Sequence, residues 1–418
     1  MVQKLKGFRD IYPEQMRARR IVFDKINGIA RSFGFHEIDA PSVEYLELFR
    51  IKSGEEIVQQ TFSFVDKGGR EITLIPELTP TVARMLSSRK NIPKPVKWFS
   101  FPKMWRYEEP QSGRLREFYQ FNADIFGVEG IEADAEILAL AMEILDSLGL
   151  EGKYVMRVSD RILMEEILKS LGVENIEGTF RVVDKRDKMS EKAFKEELSR
   201  VAGEDACESI ADMLKIRGSI GDVISRLGPG ERGEKLMQLE ELLDAYGKKV
   251  TFDLSIVRGL AYYTGLVFEA HDARGELRAI LGGGRYDNVV ELFGGPHTPA
   301  VGFGMGDAVL EILMKREGVW PEEKIEVDAF IAVVKGYRSN AIKIAHNLRK
   351  HGFSVDIDLT NRNLGKQMKY ANRINARYVV IVGDEVKNDM VVLRNMESGN
   401  QKEISISELP KAISTEMV

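Results

Sequence analysis

Two strand-like runs, Val96–Arg106 and Arg116–Gly127, flank the connection Tyr107-Glu108-Glu109-Pro110-Gln111-Ser112-Gly113-Arg114. Strands joined this directly pair antiparallel, so the segment commits the first third of the chain to a largely antiparallel sheet. A second pair, Gln60–Asp66 and Glu71–Pro76, brackets Lys67-Gly68-Gly69-Arg70, which has hairpin chemistry. Helices are expected beside these strands. Val22, Ile26, Ile29, Ala30 and Phe33 recur at helical spacing within Gln15–Phe33, and Gly34 ends that run. Phe35-His36-Glu37-Ile38 then alternates into a strand that stops at Pro41, and a further helix is expected over Thr79–Lys90.

Beyond this region the pattern changes twice. Ala133–Leu148 reads as one apolar helix, and residues 160–250 carry charged helical patterns broken at Gly228-Pro229-Gly230, as in a helical insertion. Strands return at Val250–Val257, Val267–Ala270 and Arg278–Leu281, and Gly302–Gly306 leads into a helix at Asp307–Arg316. The charged, proline-containing stretch Gly318–Val327 marks a boundary. After it, strands at Ala329–Val334, Phe353–Ile357 and Tyr378–Val382 alternate with helices at Ser339–Lys350 and Leu364–Ile374, the signature of a small α/β domain. The expected architecture is an α+β domain over residues 1–322, an antiparallel sheet flanked by helices with a helical insertion at 160–250, followed by an α/β domain over 328–418. A chain of 418 residues is too long for one compact core, which agrees with this division.

Bulk properties remove several classes of function. The net charge of −5 gives no global basic field, although a local basic patch can still meet nucleic acid. The single cysteine, Cys207, supports neither a disulfide framework nor a cysteine zinc site, and the five histidines form no H-E-x-x-H pattern. No stretch approaches the ~20 apolar residues of a membrane span, and the first residues form no apolar signal core, so a cytoplasmic enzyme or binding protein is expected.

Chemistry concentrates in a few segments. Arg106, Arg114 and Arg116 crowd one strand–loop–strand, where guanidinium forks could grip phosphate while Phe118 stacks on a base. On charge alone, a solvated hairpin is the commoner outcome. Phe118, Gln120 and Asp124 alternate at period two and should share one strand face, as a site floor or simply as a wet face. Glu77 and Thr79 precede a helix, where capping by Thr79 is the better local account. Gly282–Gly284 and the alternating glycines of Gly302–Gly306 permit close approach, but fit neither a P-loop nor a dinucleotide fingerprint. The stretch VRGLAYYTG interrupts an apolar segment with Arg258, two glycines and the twin tyrosines Tyr262 and Tyr263. If the strand continues through them, only one of the two hydroxyls reaches a given point.

In this order the segments resemble the class II aminoacyl-tRNA synthetases, most closely the histidyl-tRNA synthetase family, over nearly the whole chain. The helix and strand ending at Pro41 look like motif 1, a dimer-interface element. FPKMWRYEEPQSGRLREFYQF looks like motif 2, and PAVGFGMGDAVL like motif 3. VRGLAYYTG and LGGGRYD are similar to the two histidine signatures, PELTPTVAR to the amino-acid loop, and the last unit to an anticodon-binding domain.

The resemblance implies a two-step reaction: histidine and ATP give histidyl-adenylate, and the histidyl group then passes to the 3′ end of tRNA(His). By matching position, Arg106 and Arg258 would act at the α-phosphate, Arg114 at the outer phosphates, Glu108 at the adenine amino group and Phe118 on the base. Glu77 and Thr79 would hold the histidine ammonium, Gln120 its carboxylate, and Asp124 with Tyr262 or Tyr263 its ring. Mg²⁺ would accompany the ATP phosphates, and a homodimer is implied. Four positions depart from the pattern: Asp307-Ala308 replaces the Glu-Arg that ends motif 3, Ala261 replaces an acid, Glu109 stands where many bacterial members carry arginine, and Asp124 is shorter than the glutamate of many members. A competing reading is a non-catalytic, histidine-sensing paralogue serving as regulatory subunit of ATP phosphoribosyltransferase. Such relatives lose the histidine signature and the anticodon domain, which this sequence keeps.

Overall fold

The computed structural model describes residues 2–53, 55–89, 91–186, 189–228, 230–257, 262–322 and 327–415. They fall into two compact units, one of Met1–Asp10 with Ile21–Pro321 and one of Ile11–Arg20 with Glu322–Val418.

Helix α1 (Pro13–Ser32) buries Val22, Phe23, Ile26 and Ala30 along one stripe. Gly34 ends it at φ +77°, with Phe35 N–H bonded back to the Ala30 carbonyl at 3.1 Å. That left-handed turn is open to glycine at little steric cost. Strand β1 (His36–Glu37) follows, then β2 (Val43–Tyr45), α2 (Leu46–Ser53), β3 (Ser63–Val65) and β4 (Glu71–Leu74). β2, β4 and β3 form a separate three-stranded antiparallel sheet, and the β3–β4 turn is the expected hairpin, with Asp66 accepting from the N–H of Gly68 and of Arg70.

Next come α3 (Thr79–Ser87), β5 (Val96–Ser100), β6 (Lys103–Trp105) and β7 (Glu117–Phe126). The single strand expected over 96–106 is two strands separated at Phe101-Pro102, both paired with β7; proline has no N–H to give a ladder. Helix α4 (Ile131–Leu145) leads to β8 (Tyr154–Asp160). The insertion is helical as expected: α5 (Arg161–Ser170), α6 (Ile176–Asp184), α7 (Glu191–Ala202), α8 (Glu204–Met213), α9 (Ile220–Leu227) and α10 (Glu231–Ala245), with the short β9 (Arg217–Gly218) between α8 and α9. The chain returns to the sheet as β10 (Thr251–Asp253), β11 (Leu266–Asp272), β12 (Leu281–Arg285) and β13 (Ala300–Gly306), which runs into α11 (Asp307–Arg316).

These strands order as β1-β5-β7-β13-β12-β11-β8-β10-β9. The run from β5 to β8 is antiparallel throughout, but β1 pairs parallel with β5 and β10 parallel with β8. The sheet is therefore mixed rather than antiparallel. Both parallel pairs join strands separated by long connections, which allow a strand to return in the same direction.

Alternation divides the work of the central strands. One face carries Phe121, Phe268 and Phe303, buried against α4 residues such as Ile137, Leu138 and Ala141. Arg285 on β12 anchors α4: its guanidinium meets Asp134 at 2.9–3.0 Å and the carbonyls of Val128 and Gly130 at 2.9 and 3.0 Å. All this happens with Arg285 and Asp134 out of water.

In the second unit, β14 (Val327–Val333), α12 (Arg338–Lys350), β15 (Val355–Ile357), α13 (Leu364–Arg373) and β16 (Ala376–Val382) give parallel strands in the order β15-β14-β16. The antiparallel hairpin β17 (Met390–Asn395) and β18 (Gln401–Ser405) extends the sheet, and α14 (Leu409–Thr415) closes the described chain.

The Arg285–Asp134 pair gives a stability prediction. Removing Asp134 leaves the buried guanidinium only the partly exposed Asp287, at 3.3 Å, as countercharge. The loss therefore reaches about 3–5 kcal/mol, as for a broken buried pair, only where Asp287 does not take over. Asp134→Ala should lower the urea midpoint of the larger unit; a loss below about 1 kcal/mol would mean that Asp287 or water compensates Arg285.

Candidate active site

The second face of the central sheet is nearly bare in its middle. Register places Asp124 opposite Gly302 and Gly302 opposite Gly284; Asn122 opposite Gly304, Gly304 opposite Gly282, and Gly282 opposite Glu269; Gln120 lies opposite Gly306. A trough paved with glycine thus runs between a polar row on β7 and the acid on β11, three strand spacings or roughly 14 Å apart. It opens into a cavity of about 560 Å³. The glycine run that the sequence places after a strand is itself the strand.

The glycines are bare for identifiable reasons. A Cβ on Gly302 would overlap the Tyr286 hydroxyl and an Asp124 oxygen and stand 2.6 Å from the Ala123 carbonyl. One on Gly304 would overlap the Gln120 amide nitrogen. Tyr286 donates its hydroxyl to Asp124 Oδ1, and both residues are buried. Burial pushes the Asp124 carboxyl up to about 7, against the opposing pull of the Tyr286 bond and of Lys52. Burial, with the neighbouring Asp124 charge, pushes the Tyr286 hydroxyl well above its ordinary range. Beside them, Gln120 donates to Asn122 Oδ1 at 2.8 Å.

A wall rises from this floor, on which the rings of Tyr262 and Tyr263 lie 4.6 Å apart and their hydroxyls 3.4 Å apart. Neither tyrosine lies in a strand, and their hydroxyls come together rather than pointing to opposite sides. Glu77 completes that wall and is ion-paired with Lys52. Thr79 is the first residue of α3 and makes no capping bond, so the capping account fails; Leu78 occupies the cap position, and Thr79 lines the cavity.

Next to Glu77, Arg106 donates to the Pro76 carbonyl at 2.9 Å and stacks over Phe118 with 5.1 Å to the ring centroid. Burial makes the Arg106 guanidinium somewhat less basic than usual. Arg114 is ion-paired with Glu108. Ten of the eleven described residues singled out in the sequence as binding candidates line this one cavity: Glu77, Thr79, Arg106, Glu108, Arg114, Phe118, Gln120, Asp124, Tyr262 and Tyr263. Arg116 does not: it donates to the Glu108 carbonyl at 2.9 Å and stacks over Tyr107. Arg258 and Ala261 lie outside the described residues.

Comparison with known proteins agrees with this arrangement. The histidyl-tRNA synthetase family model matches residues 7–307, and an anticodon-binding domain model matches 328–416. The chain belongs to the histidyl-tRNA synthetase family. It is 48% identical over 416 residues to the histidine–tRNA ligase of Thermoplasma volcanium, covering 98% of this chain and 97% of that one. It is 45% identical over 415 residues to that of Picrophilus torridus, covering 97% and 98%. Among solved structures, histidyl-tRNA synthetase from Nostoc sp. PCC 7120 superposes with a TM-score of 0.83 at 25% identity, covering 99% of each chain.

Within this histidyl-tRNA synthetase fold, the motif 3 departure acquires a local account. Asp307 is buried at the start of α11, where it accepts from the Tyr119 N–H at 3.1 Å and from Arg9 at 2.7 Å. It fixes the strand–helix junction to β7, while Ala308 leaves its part of the cavity wall without a long side chain. Sequence reasoning missed Tyr286, Lys52, Asn122, Glu269, His271 and Arg278. Tyr286 sits in the quoted LGGGRYD and Asn122 falls in the period-two row between Gln120 and Asp124, so both were within reach of the pattern. Lys52 enters from α2 and Arg278 from the turn before β12, where it meets Gln111 of the motif 2 loop at 2.8 Å.

The glycine floor is directly testable. Gly302→Ala should abolish ligand-induced thermal stabilisation, because the added methyl displaces the Tyr286–Asp124 pair. Normal stabilisation by histidine and ATP in that variant would show that the floor has room to spare.

Proposed function

We propose that this chain activates L-histidine with ATP to histidyl-adenylate and then esterifies the 3′ end of tRNA(His). Family membership over both units supports the activity. The observation that carries the histidine assignment is the buried Asp124, held by Tyr286 and facing the cavity. A neutral imidazole offers one N–H donor and one acceptor nitrogen. Asp124 accepts from the first, and a hydroxyl of Tyr262 or Tyr263 donates to the second. A wrong amino acid leaves these buried groups unpaired, and such a loss can discriminate by ~10⁴ or more.

The substrate carboxylate is already ionised, so its attack on the α-phosphate needs no general base and rests on positioning and charge stabilisation. Gln120 orients that carboxylate, and Glu77 and Thr79 hold the ammonium. Phe118 stacks on adenine and Glu108 accepts from its amino group. Arg106, with Arg258, stabilises charge at the α-phosphate, and Arg114 reaches the outer phosphates. Among the described residues no cluster of three or more His, Cys, Asp or Glu side chains is placed to hold a metal ion. Mg²⁺ would therefore ride chiefly on the phosphate oxygens of ATP, as it does where substrate supplies most ligands.

The unit at 322–418 would read the anticodon. Exposed Tyr45, Phe64 and Val65 on the three-stranded sheet fit a homodimer contact. Among the described residues no helix is long and apolar enough to cross a membrane, and we place the enzyme in the cytoplasm. The regulatory-subunit reading is weaker, because the anticodon-binding match spans residues 328–416 and both tyrosines of the histidine signature line the cavity.

Charging of unfractionated tRNA with each common amino acid in turn tests the proposal: a histidyl ester is expected, and charging with another amino acid alone would contradict it. A pH prediction follows from Asp124. Its ionised form is the acceptor, and its carboxyl titrates at about 7, so histidine affinity should fall as pH drops through that value. The ring of free histidine also protonates, near ~6.5, in the same direction. Calorimetric titration should therefore show Asp124→Asn binding at least tenfold more weakly and with a shallower pH dependence. Superimposable profiles would remove Asp124 from ring recognition.

A further inference from the structure

Lys52 near the C-terminal end of α2 stands out because the chemistry above gives it no task. Its backbone reaches the surface, yet its side chain is 0% exposed. The ammonium is ion-paired with Glu77 and lies 3.8 Å from the centroid of the Tyr262 ring. It also acts electrostatically on Asp124, favouring the ionised carboxylate. A fully buried lysine is rare, since desolvating an ammonium is costly unless it is paired. Here that cost is accepted against two residues that line the cavity, Glu77 and Tyr262, the first being the carboxylate assigned to an incoming ammonium.

We propose that Lys52 is a specificity-determining residue that balances the charge of the amino-acid wall, so that the pocket selects a zwitterion with a neutral ring over a cation. This inference rests on the histidine-activating reading of the cavity.

The charges around Lys52 carry the argument. Glu77, beside the start of α3, and Asp124, on β7, are the carboxylates of this wall; Tyr262, Tyr263 and Tyr286 are uncharged and pack as one ring cluster. Arg106, tied to the Pro76 carbonyl and stacked on Phe118, also interacts electrostatically with Glu77, and Arg114 is taken up by Glu108. With Lys52 present, Glu77 faces both Lys52 and Arg106 and Asp124 faces Lys52, so the two carboxylates of the amino-acid wall are matched by two cations. A zwitterion adds no net charge to that balance, and an additional charge on the ring gains nothing. Without Lys52 the same wall carries two carboxylates in a water-poor site, an arrangement that attracts an extra positive charge from the ligand or a proton from solvent.

The cation–π seat fixes where that charge sits, because an ammonium over a tyrosine face is held in place by the ring quadrupole. Lys52 therefore also orients Glu77 and the Tyr262 ring before substrate arrives.

Histidinol isolates the charge effect, since it keeps the ammonium and imidazole of histidine and lacks the carboxylate. Calorimetry on the full-length protein without ATP would give dissociation constants for both ligands in wild type, Lys52→Met and Lys52→Arg. We expect Lys52→Met to shift the histidine-to-histidinol affinity ratio at least tenfold towards histidinol, and Lys52→Arg to stay within about twofold of wild type. A merely structural Lys52 would weaken both ligands equally, and an unchanged ratio in folded Lys52→Met overturns the proposal. A shifted ratio in Lys52→Arg, which keeps the charge but changes the shape, also overturns it, whether or not Lys52→Met folds. Failure of wild type to bind either ligand would instead refute the underlying reading of the cavity.

Discussion

A hydrogen bond between two buried side chains, Tyr286 and Asp124, sets the terms for the rest of the cavity. The pair lies flat across the sheet, and it can do so only because Gly302 presents no side chain beneath it. Gly304 does the same for Gln120. Each polar group on β7 is therefore matched by an absence on β13. The neighbouring glycines on β12 extend the clearing towards Glu269, so a planar ligand can lie on backbone. Specificity and space come from the same residues.

The sheet can carry such a surface because its other face is fully committed. Phe121, Phe268 and Phe303 bury themselves against α4, and Arg285 ties the N-terminus of that helix to β12. One face supplies hydrophobic stability and the other is free to hold polar, partly desolvated groups that stabilise nothing by themselves. Burial then sets the chemistry. It lifts the Asp124 carboxyl towards neutrality, which makes that acid sensitive to its neighbours, Lys52 included.

Much of this was legible in the sequence, for physical reasons that differ by element. Period-two alternation in β7 placed Phe118, Gln120 and Asp124 on one face, and the structure puts all three in the cavity. The α/β alternation after residue 328 was equally plain, because buried parallel strands read as apolar runs. The parallel edges of the large sheet were not legible, since pairing across long connections leaves no local signal. The orientation of Tyr262 and Tyr263 was open in the sequence, because alternation holds only if a strand continues through them, and neither lies in one. Thr79 looked like a cap by composition, yet Leu78 holds that position. Lys52 lay beyond local reasoning altogether, because its partners are 25 or more residues away in sequence and nothing around it marks a buried cation.

The central chemical question is whether this cavity couples histidine to ATP. The most direct measurement is amino-acid-dependent exchange of labelled pyrophosphate into ATP by the folded full-length protein without tRNA. Exchange that requires histidine, and that no other common amino acid supports at equal concentration, is the predicted result. Absence of exchange from folded protein, or exchange driven as well by another amino acid, would contradict it.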